Sequence, residues 1–402
     1  MYEELAVVRE SLAAYSSSAV GERLFGREAA WAPTCVVRRN ACLMEPPRRA
    51  DALDTMIALF ALGASVPLPE ARAALGRRCL GTLESLGLTS RVPGEGSVAS
   101  AVAISPLGDD LLVCTDFAPP CHVSRDQPCM YVGPDSAALA DVVSVVARGR
   151  RACDLCAGSG VQSLVALGSG ATAVLAVERE PRAAGFCRLN RALNARRLLE
   201  EPRSSRSRAV LDDDDDRSFD LVAANPPFVA VPGELGYEAF ADGGASGEAV
   251  IRDVVKFAAD HLADGGLLIV VCEIHHHHHH HHGSSLVDRI AAWWDAEDEP
   301  EVVVLREPPD PTKTPAAVAA RRCITARSRR LWIENLERQG IDFVSNGFIF
   351  IRRRLDRSNS KKKKKKSPLL LEAPRLWAMP PTNVEARSAA RRALDYLQVL
   401  HD

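Results

Sequence analysis

The chain has 402 residues, 47% of them hydrophobic and 25% charged, with 50 Lys and Arg against 52 Asp and Glu and a formal net charge of −2. These are the proportions of globular domains, which excludes a disordered, collagen-like or coiled-coil chain, and the length suits two or three domains. No apolar run reaches the roughly 18–20 residues of a bilayer span, the start reads as no secretory signal, and the near-neutral charge gives no overall pull toward nucleic acid or an anionic membrane.

In chain order, residues 51–62 (DALDTMIALFAL) show helical spacing of apolar residues behind an acidic first turn, and 69–86 read as a second helix ended by Gly87. Val98 to Ile104 and Leu111 to Phe117, across a Pro-Leu-Gly-Asp-Asp turn, read as a β-hairpin. Residues 1–128 are therefore expected to be an N-terminal helical and hairpin unit. It reads as a substrate-orienting cap or as a winged-helix-like reader, with Arg72, Arg77 and Arg78 as basic residues.

From about Cys129 the pattern becomes alternating strands and helices. Helices are expected at 137–147, 161–167, 182–194 and 248–262, and strands at 152–155, 173–177, 219–224 and 267–272. Such βαβ repetition with short links predicts a doubly wound, mostly parallel sheet over residues 129–356. Residues 357–402 read as a basic linker followed by a C-terminal helix.

Three homopolymer tracts, Asp212 to Asp216, His275 to His282 and Lys361 to Lys366, fall where loops are expected and are read as dispensable insertions. The His tract looks like an internal purification tag or a natural repeat, and would bind nickel or zinc only loosely. Arg352, Arg353 and Arg354, with the Lys run, read as a nuclear localisation signal or as a solvated basic loop. The 11 cysteines, an odd and scattered set, suit reduced thiols in a cytosolic or nuclear compartment. Cys153 and Cys156 have CxxC spacing, but Cys121, His122 and Cys129 make a poor second pair, so no metal site is expected.

Three features carry chemistry. The turn Asp154-Leu155-Cys156-Ala157-Gly158-Ser159-Gly160 lies between a strand and a helix, where glycines let a ligand approach backbone N–H groups. Glu178, roughly twenty residues on and at the next strand end, offers a carboxylate to ribose hydroxyls. Asn225-Pro226-Pro227-Phe228 follows the strand FDLVAA. An NH2 conjugated to a π system is a poor nucleophile. Two acceptors aimed at its hydrogens, the Asn225 side-chain oxygen and the Pro226 carbonyl, favour a pyramidal nitrogen, and the two prolines preorganise them. Phe228 offers a face for a planar substrate.

In this order, the three motifs resemble the class I S-adenosylmethionine-dependent methyltransferases, in particular the Asn-Pro-Pro-[Phe/Tyr] branch and the methyltransferase small-domain group. The likeness covers roughly Cys129 to Ile274, and Cys156 replaces the usual first glycine of the turn. The resemblance implies an α/β Rossmann-like fold with a seven-stranded, mostly parallel sheet and an N-terminal cap. Its last two strands are expected near Arg306 and at 347–353. It implies S-adenosyl-L-methionine as cofactor, held by Asp154, Ala157, Gly158, Gly160, Glu178 and Asn225, with Asn225, Pro226, Pro227 and Phe228 as the catalytic set. An acid near Asp212 would face the adenine amine.

Phe after Asn-Pro-Pro is commoner among RNA-base enzymes of the family and Tyr among glutamine enzymes. The expected activity is thus N-methylation of an exocyclic amine of a nucleobase in RNA. Alternatives are a protein glutamine and a non-catalytic binding subunit. The partner is RNA or protein and not a membrane, and the expected compartment is the cytoplasm or nucleus. Tyr131 reads as a residue closing over the cofactor or packing in a linker. Trp293 and Trp294 read as core, and Asp242-Gly243-Gly244 as a mobile lid or a surface turn.

Overall fold

The computed structural model describes residues 2–25, 51–108, 110–117, 128–195, 219–277, 285–296, 298–308, 310, 313–322, 325–354, 368–373, 376–377 and 384–397. The Asp212 to Asp216 and Lys361 to Lys366 tracts, His278 to His282, Cys121 and His122 lie outside the described residues.

The N-terminal unit begins with α1 (Tyr2–Ser11), α2 (Ser17–Phe25) and α3 (Ala52–Met56). The Asp51 side chain accepts from the Asp54 N–H and caps α3. The expected helix continues as a π-helical turn, Ile57–Ala61, buried along its whole length. Next come β1 (Val66–Pro67), α4 (Leu68–Ser85), β2 (Thr89–Val92) and β3 (Ser97–Ser100). The hairpin is β4 (Ala103–Leu107) with β5 (Leu111–Thr115). The run from Val98 to Ile104, expected as one strand, is divided. Its first part pairs with β1 and β2 in a three-stranded sheet, and Ala103 onward turns away to pair with β5.

The second unit is the expected α/β sheet. Its elements are α5 (Pro134–Val146), β6 (Arg151–Leu155), α6 (Val161–Gly168), β7 (Ala173–Val177), α7 (Pro181–Leu193), β8 (Phe219–Ala224) and α8 (Ala249–His261). They continue with β9 (Leu262–His277), α9 (Leu286–Trp293), β10 (Glu301–Arg306), α10 (Pro315–Arg322), α11 (Ala326–Arg338), β11 (Ile341–Arg352), β12 (Leu369–Glu372) and α12 (Val384–Tyr396). The seven-stranded order is β12-β10-β11-β9-β8-β6-β7. Only β11 runs antiparallel to its neighbours.

Side chains alternate between the two faces, as a pleated strand requires. Leu267, Ile269 and Val271 of β9 meet α5, α6 and α12 in one core, whereas Leu268, Val270 and Cys272 meet α8 and α9 in another. Trp294 is buried in the second core with Trp293 packed against it, as expected.

Three expectations are corrected. His275, His276 and His277 are not a loop: they extend β9 and pair with Val344, Phe343 and Ile341 of β11. The segment after the Lys run is more than a linker, because its LLLE stretch adds β12 as the edge strand beside β10. The Arg352-Arg353-Arg354 run is largely structural. Arg352 is buried and donates to the Gly265 and Leu397 carbonyls, and Arg353 holds the Ala259 and Leu262 carbonyls and Asp298.

The two units share a core, in which Ala183, Phe186, Ala192 and Leu193 of α7 pack with N-terminal residues. Two fully buried asparagines, Asn190 in α7 and Asn194 at its C-cap, bind the β5 backbone as a neighbouring strand would. Asn194 accepts from the Leu112 N–H at 3.0 Å and donates to the Leu112 carbonyl at 2.7 Å. Asn190 does the same with Cys114, at 2.7 and 2.9 Å, and its amide also donates to the Ser159 carbonyl at 2.9 Å.

Candidate active site

After β6 the chain crosses to β7 on one side and returns to β8 on the other, which makes the C-terminal ends of β6 and β8 a switch point of the sheet. A cavity of about 310 Å³ opens there. Asp154, Ala157, Gly158, Glu178, Asn225 and Pro227 of the expected site line it, as does Tyr131. Pro226 is buried, and Phe228 is half-buried outside the cavity lining.

The turn after β6 is shaped by backbone demands. Gly160 caps α6 in the left-handed region at φ 85°, and a Cβ there would lie 2.7 Å from Cys187 Sγ. Cys156 also has positive φ, 57°, so the residue that replaces a glycine carries the strain of that conformation. Its thiol lines the cavity, and burial pushes its pKa up to about 12.

Glu178 stitches the end of β7 to this turn. It accepts from the Gly158 N–H at 2.7 Å and from the Glu180 N–H at 2.8 Å. Each carboxylate oxygen keeps a second lone pair for a ligand hydroxyl. Asp154 accepts from the backbone N–H and the hydroxyl of Ser163, at 2.8 and 2.7 Å. Burial nevertheless pushes its pKa up to about 7, with Glu178 adding to the rise. Beyond the two carboxylates, Val177, Val254 and Phe257 make an apolar wall.

Asn225, at the end of β8, has its orientation settled by neighbours absent from the expected set. Nδ2 donates to Asp135 Oδ2 at 2.8 Å and to Ser136 Oγ at 3.0 Å. Oδ1 has no partner among the described residues. Burial raises the pKa of Asp135, opposed by the bonds from Asn225 and from the backbone of α5. Gln162 of α6 also lines the cavity: it donates to the Ser136 carbonyl at 2.9 Å and leaves Oε1 buried and unpaired. The only trace of Asp135 and Ser136 in the sequence is a Pro-Asp-Ser helix start.

Phe228 has an aromatic neighbour of its own. Its ring packs on Trp377 from the C-terminal segment, with centroids 5.5 Å apart and planes 48° tilted. The residues after it are tied by backbone bonds to Asp242-Gly243-Gly244, as suits the turn reading of that segment. Val229 N–H donates to the Ala241 carbonyl, Gly243 N–H to the Val229 carbonyl and Val231 N–H to the Gly244 carbonyl, all within 3.0 Å. His275 backs this arrangement, since a Cβ on Gly247 would collide with its ring and with the Phe228 carbonyl. Trp332 of α11 packs on Val229 and Val231 from outside. Arg322 of α10 stacks on Trp332 and pairs with Glu273 of β9. Asp212, the expected adenine partner, lies outside the described residues.

Compared with known proteins, residues 132–290 match the family described as the methyltransferase small domain. A release factor glutamine methyltransferase of Mycolicibacterium smegmatis is 36% identical over 122 residues, which are 28% of this chain and 42% of the relative. The chain thus spans less than half the length of that curated relative. Among solved structures, a 16S rRNA methyltransferase from T. thermophilus, solved with AdoMet and guanosine, is 14% identical with a TM-score of 0.34, over 76% of this chain and 70% of the other. A methyltransferase from Pyrococcus furiosus is 14% identical with a TM-score of 0.32, over 60% and 89%.

Proposed function

We propose that the chain, whose residues 132–290 match the methyltransferase small-domain family, uses S-adenosylmethionine to methylate the nitrogen of a planar amine, an exocyclic amino group of a nucleobase in RNA. The observation that carries this reading is Asn225. It stands on the cavity wall at the end of β8 with its Nδ2 tied to Asp135 and Ser136 and its Oδ1 left to accept.

The cavity suits the cofactor in chemistry. Glu178 and Asp154 supply carboxylates for ribose hydroxyls and a cationic amino-acid end, the Gly158 to Gly160 turn supplies close backbone, and Val177, Val254 and Phe257 supply an apolar wall for the base. When bound, S-adenosylmethionine supplies a methyl group already activated by its sulfonium. The work left to the chain is orientation. Asn225 Oδ1 and the Pro226 carbonyl accept the two amine hydrogens, which turns the nitrogen lone pair out of conjugation. Pro226 and Pro227 hold these acceptors still, so little reorganisation accompanies the developing charge.

The exposed arginines of α10 and α11 support RNA. Arg321, Arg327, Arg329 and Arg330 sit on the helix pair that packs over the Asn-Pro-Pro-Phe loop, and such cations suit phosphate contacts. The second reading, a protein glutamine, is supported by the name of the M. smegmatis relative. Incubation with methyl-labelled S-adenosylmethionine and either total RNA or total protein separates the two by which fraction takes label. Asn225→Ala should keep most cofactor affinity and lose about 10²–10³ in rate, the usual effect of removing a preorganised partner of developing charge. Full activity in that variant would remove the amine clamp and move the binding-subunit reading ahead.

A further inference from the structure

We propose that Asp135 is a positioning residue that fixes which way the Asn225 amide points, so that Oδ1 rather than Nδ2 is presented to the cavity; this rests on the amine-clamp reading of Asn225. A primary amide fits its site in two orientations of almost the same shape and opposite hydrogen-bonding sense. Here the choice is made chemically. Nδ2 lies 2.8 Å from Asp135 Oδ2, and this bond favours the ionised carboxylate against the burial that raises its pKa; in that form the group accepts and never donates. The flipped amide would set oxygen against oxygen at Asp135 and turn two N–H donors toward the cavity. An incoming amine would then meet donors where it needs an acceptor. Ser136 Oγ, at 3.0 Å, accepts from Nδ2 here and could equally donate to Oδ1 in the flipped amide, so it does not make the choice.

Asp135 is itself held in place. It is 4% exposed in the first turn of α5, where the N-terminal backbone of the helix favours its charge. Gly133 leaves room for it. A Cβ at 133 would collide with Asp135 Oδ1, although the backbone there, at φ −87°, is open to any residue. The glycine is thus explained by the carboxylate beside it and not by the turn. The arrangement joins two segments distant in sequence, since Asp135 and Asn225 are 90 residues apart, and Gly133 is the N-cap of the helix that carries Asp135.

The test compares Asp135→Asn with Asp135→Glu. The first is nearly isosteric but able to donate; the second is longer but still accepts only. A merely structural role would tolerate Asn better than Glu. The positioning role expects the reverse: Asn lowers the methylation rate roughly 10–100-fold with cofactor affinity within threefold by calorimetry, and Glu recovers part of the rate. Gly133→Ala, which displaces the carboxylate without removing it, should reproduce the Asn phenotype and serves if Asp135→Asn fails to fold. Selective ¹⁵N labelling of asparagine reads the orientation with no substrate present. The Asn225 NH2 protons should be shifted downfield and protected in the native protein, and should lose both properties in Asp135→Asn. Unchanged Asn225 amide signals in that variant, or a rate equal to the native one, overturn the proposal. An active Asn225→Ala enzyme would instead overturn the clamp reading, so the two failures are distinct.

Discussion

Asp154 sets a measurable proton balance at the cavity. In an unfolded chain an aspartate titrates near 3.9; here burial raises it to about 7, against the two bonds from Ser163. Between those values the folded protein holds more protons than the unfolded one, so this residue makes stability fall as pH rises from about 4 to 7. A cation in the cavity reverses the preference, because it favours the ionised carboxylate. Binding of S-adenosylmethionine, with its sulfonium and ammonium, should therefore expel a proton near pH 6.5. The affinity should rise between pH 6 and 8, by no more than about tenfold per unit below the titration point. Calorimetry in two buffers of different ionisation enthalpy reads this directly. Equal heats in both would sink the idea, and Asp154→Asn should abolish the difference.

At the scale of the element, β9 carries three histidines into the sheet. His275 and His276 are kept neutral by burial, with pKa values lowered to about 4. An unfolded histidine takes up its proton near 6.5, so stability present above that value is lost as pH falls toward 4, opposite in sign to Asp154. For the deeply buried His275 the slope is at most about 1.4 kcal/mol per pH unit, and His275→Gln should flatten it in denaturant titrations at pH 4.5 to 6.5. Removing residues 275–282 should lower the melting temperature, because it strips the β11 partners of His275, His276 and His277. An unchanged melting temperature would mean that the working strand ends at Ile274. The His tract shows where sequence reading stops. Strands such as FDLVAA and LLIVVC announce themselves by apolar, β-branched runs, and Asn-Pro-Pro-Phe and Glu178 by their place at strand ends. Repeated His has no such signature, and what makes it strand is β11, some 70 residues later in the chain. The same holds for LLLE of β12, which starts three residues after the Lys run, and for Asp135, whose meaning lies in a partner supplied from the end of β8.

At the scale of the whole molecule, the boundary near residue 128 divides the sequence more cleanly than it divides the structure. Asn190 satisfies the Cys114 N–H and carbonyl and the Ser159 carbonyl, so one side chain joins the N-terminal hairpin to the cofactor turn. Asn190→Ala would leave these buried groups unpaired at about 1–3 kcal/mol each. The melting temperature should fall by several degrees or more, and cofactor affinity should drop with it. A variant as stable as the parent would show that water replaces the amide. The latch also bears on how the chain is made. The β4–β5 hairpin leaves the ribosome long before α7, with 76 and 82 residues separating the bonded partners. At roughly 5–20 residues per second, β5 waits for several seconds with an open edge, and a two-stranded hairpin alone is barely stable. The nascent chain is most exposed to sticking to its neighbours in that interval, which ends when Asn190 and Asn194 arrive to close the edge.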